Sequence, residues 1–246
     1  MIAPGATIGI LGGGQLGRMI ALAAAPLGYR CHVFCPERGS PAKLVSPFET
    51  TADYQNAAAL EAFARQVDVI TFEFENVPAN TAERLAALKP VRPGPEALRI
   101  AQDRLREKDF LRSIEVATTR YAAVTNLAEL TLALQTIGRP AVLKTTRFGY
   151  DGKGQTTIGA ETDRAAAWAS LSTTDAILEG FVPFACELSV IVARGEAGAC
   201  ISYPPVENRH VNHILDTTIA PARVTPETAM RAEAIARHGA EKLGIV

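Results

Sequence analysis

The chain has 246 residues, 48% of them apolar, and a formal net charge of -1, enough for a sizeable core and without the basic excess of a nucleic-acid binder. The opening apolar run, residues 7–11, is too short for a membrane span or a signal core. Four cysteines, Cys31, Cys35, Cys186 and Cys200, lack the spacing of a zinc or redox pair and are too few for a disulfide scaffold, which points to reduced thiols and a cytoplasmic setting.

Residues 7–11 read as a buried strand, followed by the turn Gly12, Gly13, Gly14, Gln15, Leu16, Gly17 and a helix over 16–27 closed by Gly28. Residues 30–35 give the next strand. Gly12, Gly14 and Gly17 have the spacing of a dinucleotide-binding turn, with Glu37 placed as a ribose-binding carboxylate. A plain tight turn gives the same pattern, and any anion rests on a helix N-terminus. Residues 52–66 read as a helix, with Leu60, Phe63, Ala64 and Val67 at helical spacing. Residues 68–78 read as a third strand. Its period of two sets Phe72 and Phe74 on one face, Glu73 and Glu75 on the other. Paired carboxylates at the C-terminal end of such a strand stand where open α/β sheets bind ligands. Their mutual repulsion favours a raised pKa in one of them. Solvated acids on an exposed strand end are the plain alternative. Asn80 is the expected cap of a helix over 81–88, and the proline-rich stretch 89–95 marks a domain boundary.

A helix over 96–114 carries Arg104 and Lys108 one turn apart, a spacing usually found on a solvated face. A strand over 120–124 and a helix from Asn126 to Ile137 follow. The next strand delivers Lys144 within an apolar run, and an ammonium there is costly to bury unless an anion meets it. The loop beyond it carries Gly149, Gly152, Gly154 and a second lysine, Lys153, and its glycines let backbone N–H groups face a ligand. That combination suits a polyphosphate; a glycine-rich hairpin with solvated charges is the plain alternative. Strands over 155–158, 176–182 and 187–193 are expected, with a helix over 162–171. Strand-edge backbone groups with one acid, here Glu187, suit an adenine amine and a ribose. Antiparallel strands over 199–206 and 213–219 are expected around Glu207, Asn208, Arg209 and His210. Glu207, His210 and His213 recur every three residues but do not share a strand face, so no metal is assigned to them. A helix over 226–243, closed by Gly244, ends the reading.

Seven segments in this order resemble the 5-(carboxyamino)imidazole ribonucleotide synthases, ATP-grasp ligases of purine biosynthesis. They are residues 12–17, 71–78, 101–104, Lys144 with 149–155, 179–182, 187–189 and 207–210. The resemblance covers essentially the whole chain, and the order of all seven is far more specific than the glycine loop, which marks ATP-grasp proteins at large. It implies a mixed α/β and α+β chain. A Rossmann-like pre-ATP-grasp domain spans 1–98, a connecting helix 99–116, a small ATP-grasp lid subdomain 117–182 and the first part of the large subdomain 183–246. The second half of the ATP-grasp fold is then incomplete. Implied ATP contacts are Arg104, Lys144, Gly149, Tyr150, Asp151, Gly152, Lys153, Gly154, Gln155, Glu179, Gly180, Phe181, Val182, Glu187 and His210. Implied ribonucleotide contacts are Gly14, Gln15, Leu16, Glu73, Glu75, Asn76, Tyr150, Asp151 and Lys153, with Lys153, Asp151 and Glu73 as catalytic groups. Which of Glu73 and Glu75 meets the amine stays open.

The implied reaction is ATP-dependent carboxylation of 5-aminoimidazole ribonucleotide with bicarbonate through carboxyphosphate, giving ADP and phosphate, commonly in a homodimer. Carboxylate ligands for Mg2+ are expected beyond residue 246, so the chain alone is expected to be inactive. An NAD(P)-dependent oxidoreductase and a non-catalytic nucleotide-binding module are the competing expectations.

Overall fold

Strands that are apolar on both faces need helices on both sides, and the first part of the chain meets this need. The computed structural model describes residues 2–149 and 152–246; Tyr150 and Asp151 lie outside the described residues. The chain falls into two units, residues 2–99 with 195–197 and 243–246, and residues 100–194 with 198–242.

In the first unit β1 (Thr7–Leu11), α1 (Gln15–Ala24), β2 (Arg30–Cys35), β3 (Phe48–Thr51), α2 (Ala57–Ala64), β4 (Val69–Phe72) and α3 (Ala79–Ala86) follow in turn. The strands pair in parallel in the order β3-β2-β1-β4. Alternate residues of β1 enter opposite cores. Ile10 packs with Ala21 and Ala24 of α1, while Leu11 packs with Leu60 and Phe63 of α2 and Leu85 of α3.

Several expected boundaries move. The run after Ala24 tightens into a 3-10 turn through Leu27, because Pro26 has no N–H to continue the α-helix. The helix expected over 52–66 starts only at Ala57, where the Asn56 side chain accepts from the Ala59 N–H, and β3 precedes it. Asn80 is no cap: it lies inside α3, whose N-cap position is held by Pro78 without a side-chain bond. β4 ends at Phe72; the Glu73 N–H still donates to the Leu11 carbonyl of β1, and beyond it the chain leaves the strand, so the period of two no longer directs residues 74–76. Phe72 and Phe74 both lie against the same core.

α4 (Pro95–Ala101) leads to the second unit. The single helix expected over 96–114 is broken there. The Asp103 carboxylate accepts from the Leu105 and Arg106 N–H groups and starts α5 (Arg104–Ser113) afresh. Next come β5 (Tyr121–Val124), α6 (Leu127–Ile137), β6 (Ala141–Thr145), β7 (Gln155–Ile158), α7 (Arg164–Leu171) and β8 (Ala176–Gly180). These four strands form an antiparallel sheet in the order β5-β8-β6-β7. One face, with Leu143, Ile158 and Leu178, is covered by Leu130 and Leu134 of α6 and Leu171 of α7.

The strand expected over 187–193 is two strands. β9 (Glu187–Ser189) joins a second sheet, and β10 (Val192–Arg194) pairs with β11 (Cys200–Ser202). Residues 207–210, expected in a connector, belong to β12 (Val206–Val211), which pairs with β13 (Ile214–Ile219). That tight reversal uses Asn212 and His213 at φ 51° and 67°. α8 (Pro226–Lys242) lies along β11, where Glu233 and Arg237 meet the Ser202 hydroxyl.

Removing the α5 cap by Asp103→Ala should lower the stability of the second unit by about 1 kcal/mol. Urea denaturation followed in that unit checks this; an unchanged midpoint would contradict the cap's role.

Candidate active site

The other face of the antiparallel sheet carries the charged groups. Register places Val142 opposite Glu179 and Lys144 opposite Ile177, so Lys144 and Glu179 are diagonal neighbours on one face. Lys144 Nζ donates to Glu179 Oε2 at 2.7 Å, and Lys108 Nζ of α5 stands 3.3 Å from Oε1. The anion that meets the strand lysine is therefore a side chain of the fold. Glu179 is 7% exposed. Burial alone would raise its pKa; the two ammonium groups, Lys144 foremost, outweigh burial and hold it below the ordinary value of 4.5. Lys108, read from sequence as part of a solvated face, is in fact largely covered and paired.

Arg104 closes the entrance to the glycine loop. Its guanidinium donates to the Thr145 carbonyl at 3.3 Å and the Gly149 carbonyl at 3.0 Å. The Thr145 N–H donates to the Gly154 carbonyl at 2.8 Å and pins the loop's base. Gly152, at φ +76°, lies against the His213 ring, and a Cβ there would come within 2.7 Å of it. Glycine at this position lets the loop rest on the β12–β13 turn.

A cleft of about 1210 Å³ opens beside this loop. Lys144 and Gln155 line it from the first sheet, Glu187 and His210 from the second, and Phe181 from the connector between them. Its volume exceeds the roughly 300–1,000 Å³ of ordinary small-molecule sites. Across it, His210 Nδ1 and Glu187 Oε2 are 2.7 Å apart. Of the expected ATP contacts, Lys144, Gly152, Gln155, Phe181, Glu187 and His210 share this cleft. Glu179 lies behind Lys144, while Arg104, Gly149 and Gly154 shape the loop. Gly180 has its N–H on the Arg120 carbonyl and its carbonyl on the Thr119 hydroxyl, so its backbone groups serve the fold. Val182 is half-exposed beside Phe181, and Lys153 stands exposed on the loop. Tyr150 and Asp151 are outside the described residues.

In the first unit the glycine turn already holds an anion. The Gly14 N–H donates to Glu73 Oε1 at 2.7 Å, and the Gly17 N–H donates to Glu73 Oε2. A Cβ at Gly12, where φ is +106°, would lie 2.4 Å from the Glu73 side chain. Glu73 takes the N–H groups that a pyrophosphate would need, which removes the basis of the oxidoreductase expectation. Glu37, its expected ribose carboxylate, is instead seen through its backbone carbonyl, which accepts from Cys35 Sγ. Gln15 and Leu16 are exposed on the first turn of α1. Glu75 is exposed and Asn76 half-buried just beyond Glu73. Among the described residues no group of three or more His, Cys, Asp or Glu side chains is placed to hold a metal ion, and no helix is long and apolar enough to cross a membrane.

The profile of the ATP-grasp domain matches residues 109–246, and that of the ribonucleotide synthetase preATP-grasp domain matches residues 5–102. The chain belongs to the ATP-grasp family. Its relatives narrow the class further. An N5-carboxyaminoimidazole ribonucleotide synthase of Brucella melitensis is 45% identical over 242 residues, covering 98% of this chain and 66% of that protein. The crystal structure of an ADP complex of N5-carboxyaminoimidazole ribonucleotide synthetase superposes with a TM-score of 0.95 at 40% identity, covering 100% of this chain and 65% of the other. The Aspergillus clavatus N5-carboxyaminoimidazole synthase, solved with ADP and 5-aminoimidazole ribonucleotide, superposes with a TM-score of 0.88 at 28% identity, over 96% of this chain and 62% of that one. The chain thus spans about two thirds of the length of these relatives.

Because the Glu179 pKa is depressed in the folded state, its stabilisation is fully present above the unfolded value of 4.5 and is lost as pH falls through the lower folded value. Glu179→Gln should remove this contribution from the acid limb of a stability-against-pH profile measured by urea unfolding. Superimposable acid limbs for the two proteins would contradict the pairing.

Proposed function

We propose that the chain supplies the ATP cleft of a ligase that carboxylates 5-aminoimidazole ribonucleotide with bicarbonate, releasing ADP and phosphate. The observation that carries this is the cleft itself: an ammonium, a glycine loop and a carboxylate–imidazole pair converge on one cavity, in a chain whose relatives bear that activity's name. Phosphoryl transfer asks a protein mainly for position and positive charge. Lys144, Lys153 and the loop's N–H groups are assigned to the phosphates, Glu187 and His210 to the ribose, and Phe181 and Val182 to the base.

In the proposed reaction a bicarbonate oxygen attacks the γ-phosphorus and the bond to the β–γ bridging oxygen breaks, so ADP leaves. Carboxyphosphate then breaks its C–O bond to phosphate. The ribonucleotide's exocyclic nitrogen forms a bond to the freed carbon and gives up a proton. Carboxyphosphate hydrolyses readily, so a loop that excludes water is required, and residues 149–154, with Tyr150, Asp151 and Lys153, are assigned that duty. In the first unit Gly14, Gln15, Leu16, Glu73, Glu75 and Asn76 are assigned to the ribonucleotide. Glu73 is held at both oxygens, which suits a group that orients an amine rather than one that swings. Magnesium commonly neutralises charge in such transfers. No side chains described here gather for it, and no step is routed through it. The homodimer and the cytoplasmic setting belong to the same proposal, the latter consistent with four free cysteines.

The test is phosphate release by the intact protein. Release should require ATP, bicarbonate and 5-aminoimidazole ribonucleotide together, and Lys144→Ala should lower kcat/KM for ATP at least about tenfold. ATP binding without such release would instead identify a non-catalytic nucleotide-binding module. Unaltered kinetics in the Lys144 variant would remove that residue from the phosphate site.

A further inference from the structure

The assigned ATP site makes no use of Lys108, yet this side chain is 18% exposed and touches a buried carboxylate. Glu179 divides its two oxygens between two cations, Lys144 on one and Lys108 on the other. Lys144 has two claims on its ammonium once a polyphosphate enters the cleft, from the phosphates and from Glu179. With Lys144 as its only partner, Glu179 would compete with phosphate for that charge. A buried carboxylate left without any cation is strongly unfavourable.

A second, permanent cation on Glu179 relieves both conflicts. Lys108 has the place for it. It reaches Glu179 from α5, one turn past Arg104, on a helix fixed by the Asp103 cap and by the Arg104 N–H bond to the Thr146 carbonyl. Around Glu179 and the neighbouring Glu107 stand three cations, Lys144, Lys108 and Arg104, against two carboxylates, and of the two lysines on Glu179 it is Lys144 that lines the cleft. Building on the ATP-cleft reading above, we propose that Lys108 is a positioning residue: it holds the Glu179 charge so that the Lys144 ammonium is available to the nucleotide's phosphates. Lys108 itself does not touch the nucleotide.

A double-mutant cycle on ATP binding, measured by titration calorimetry, tests this. Lys108→Gln should weaken ATP binding at least about tenfold in the wild-type background. The same substitution made on Glu179→Gln should change affinity by less than about twofold, because there is no longer a carboxylate to hold. Lys108→Arg should restore binding to near the wild-type value. Equal ATP affinity for wild type and Lys108→Gln overturns the proposal and leaves the cleft reading intact. Equal weakening in both backgrounds also overturns it, since Lys108 would then contact the nucleotide directly. A wild-type protein that binds no ATP removes the cleft reading and this proposal together. Circular dichroism monitors folding. Should Lys108→Gln fail to fold, the double variant must match Glu179→Gln in ATP affinity and Lys108→Arg must match wild type, and a departure in either overturns the proposal.

Discussion

A carboxylate buried on a sheet face stays ionised only when cations are already fixed around it, and Glu179 is surrounded in this way by Lys144 and Lys108. Meeting that condition ties together elements far apart in the chain. β8 presents the carboxylate, β6 presents one ammonium by register, and α5 delivers the other. α5 can do so because the Asp103 carboxylate caps its first turn after α4 has ended at Ala101. The same helix places Arg104 on the carbonyls at the start and within the glycine loop. Charge neutralisation in the sheet and the shape of the loop are thus two consequences of one helix position.

The two units treat their glycine-rich turns in opposite ways. At the N-terminus of α1 the N–H groups are consumed by Glu73, a negative group supplied by the protein. Those two N–H groups orient a carboxylate rather than a pyrophosphate. In the second unit the internal carboxylate sits behind the cationic side chain, and the Lys144 ammonium lines the cleft. Similar glycine spacing therefore leads to different chemistry, decided by where the nearest acid lies.

Much of the second unit was legible in the sequence because the relevant signals are local. Lys144 stands out as a charge in an apolar strand, and the glycines that follow mark a loop shaped for backbone contact. Three strands of the first unit's parallel sheet are legible for the same reason, from short apolar runs between turns, whereas the edge strand β3, Phe-Glu-Thr-Thr, lacks such a run. What local pattern could not supply was partnership. Glu179 is 35 positions from Lys144, and only strand register brings them together. Lys108 looked solvated because a helix in isolation does not reveal the sheet it packs on. The alternation of Phe72, Glu73, Phe74 and Glu75 continued on paper past the point where β4 stops, so Glu73's true direction, back to Gly14 and Gly17, was hidden. Helical spacing carries across the break at Asp103 and hides it, although the capping chemistry is visible in the residue itself.

The central claim is that the nucleotide's phosphates lie over Lys144 and the glycine loop of the second unit. A crystal structure of the protein with a non-hydrolysable ATP analogue tests it most directly. Phosphate oxygens are predicted within hydrogen-bond distance of Lys144 Nζ, the ribose beside Glu187, and Glu73 still bound to the Gly14 and Gly17 N–H groups. An analogue seated on the turn from Gly12 to Gly17 with Glu73 displaced, and Lys144 untouched, would contradict it.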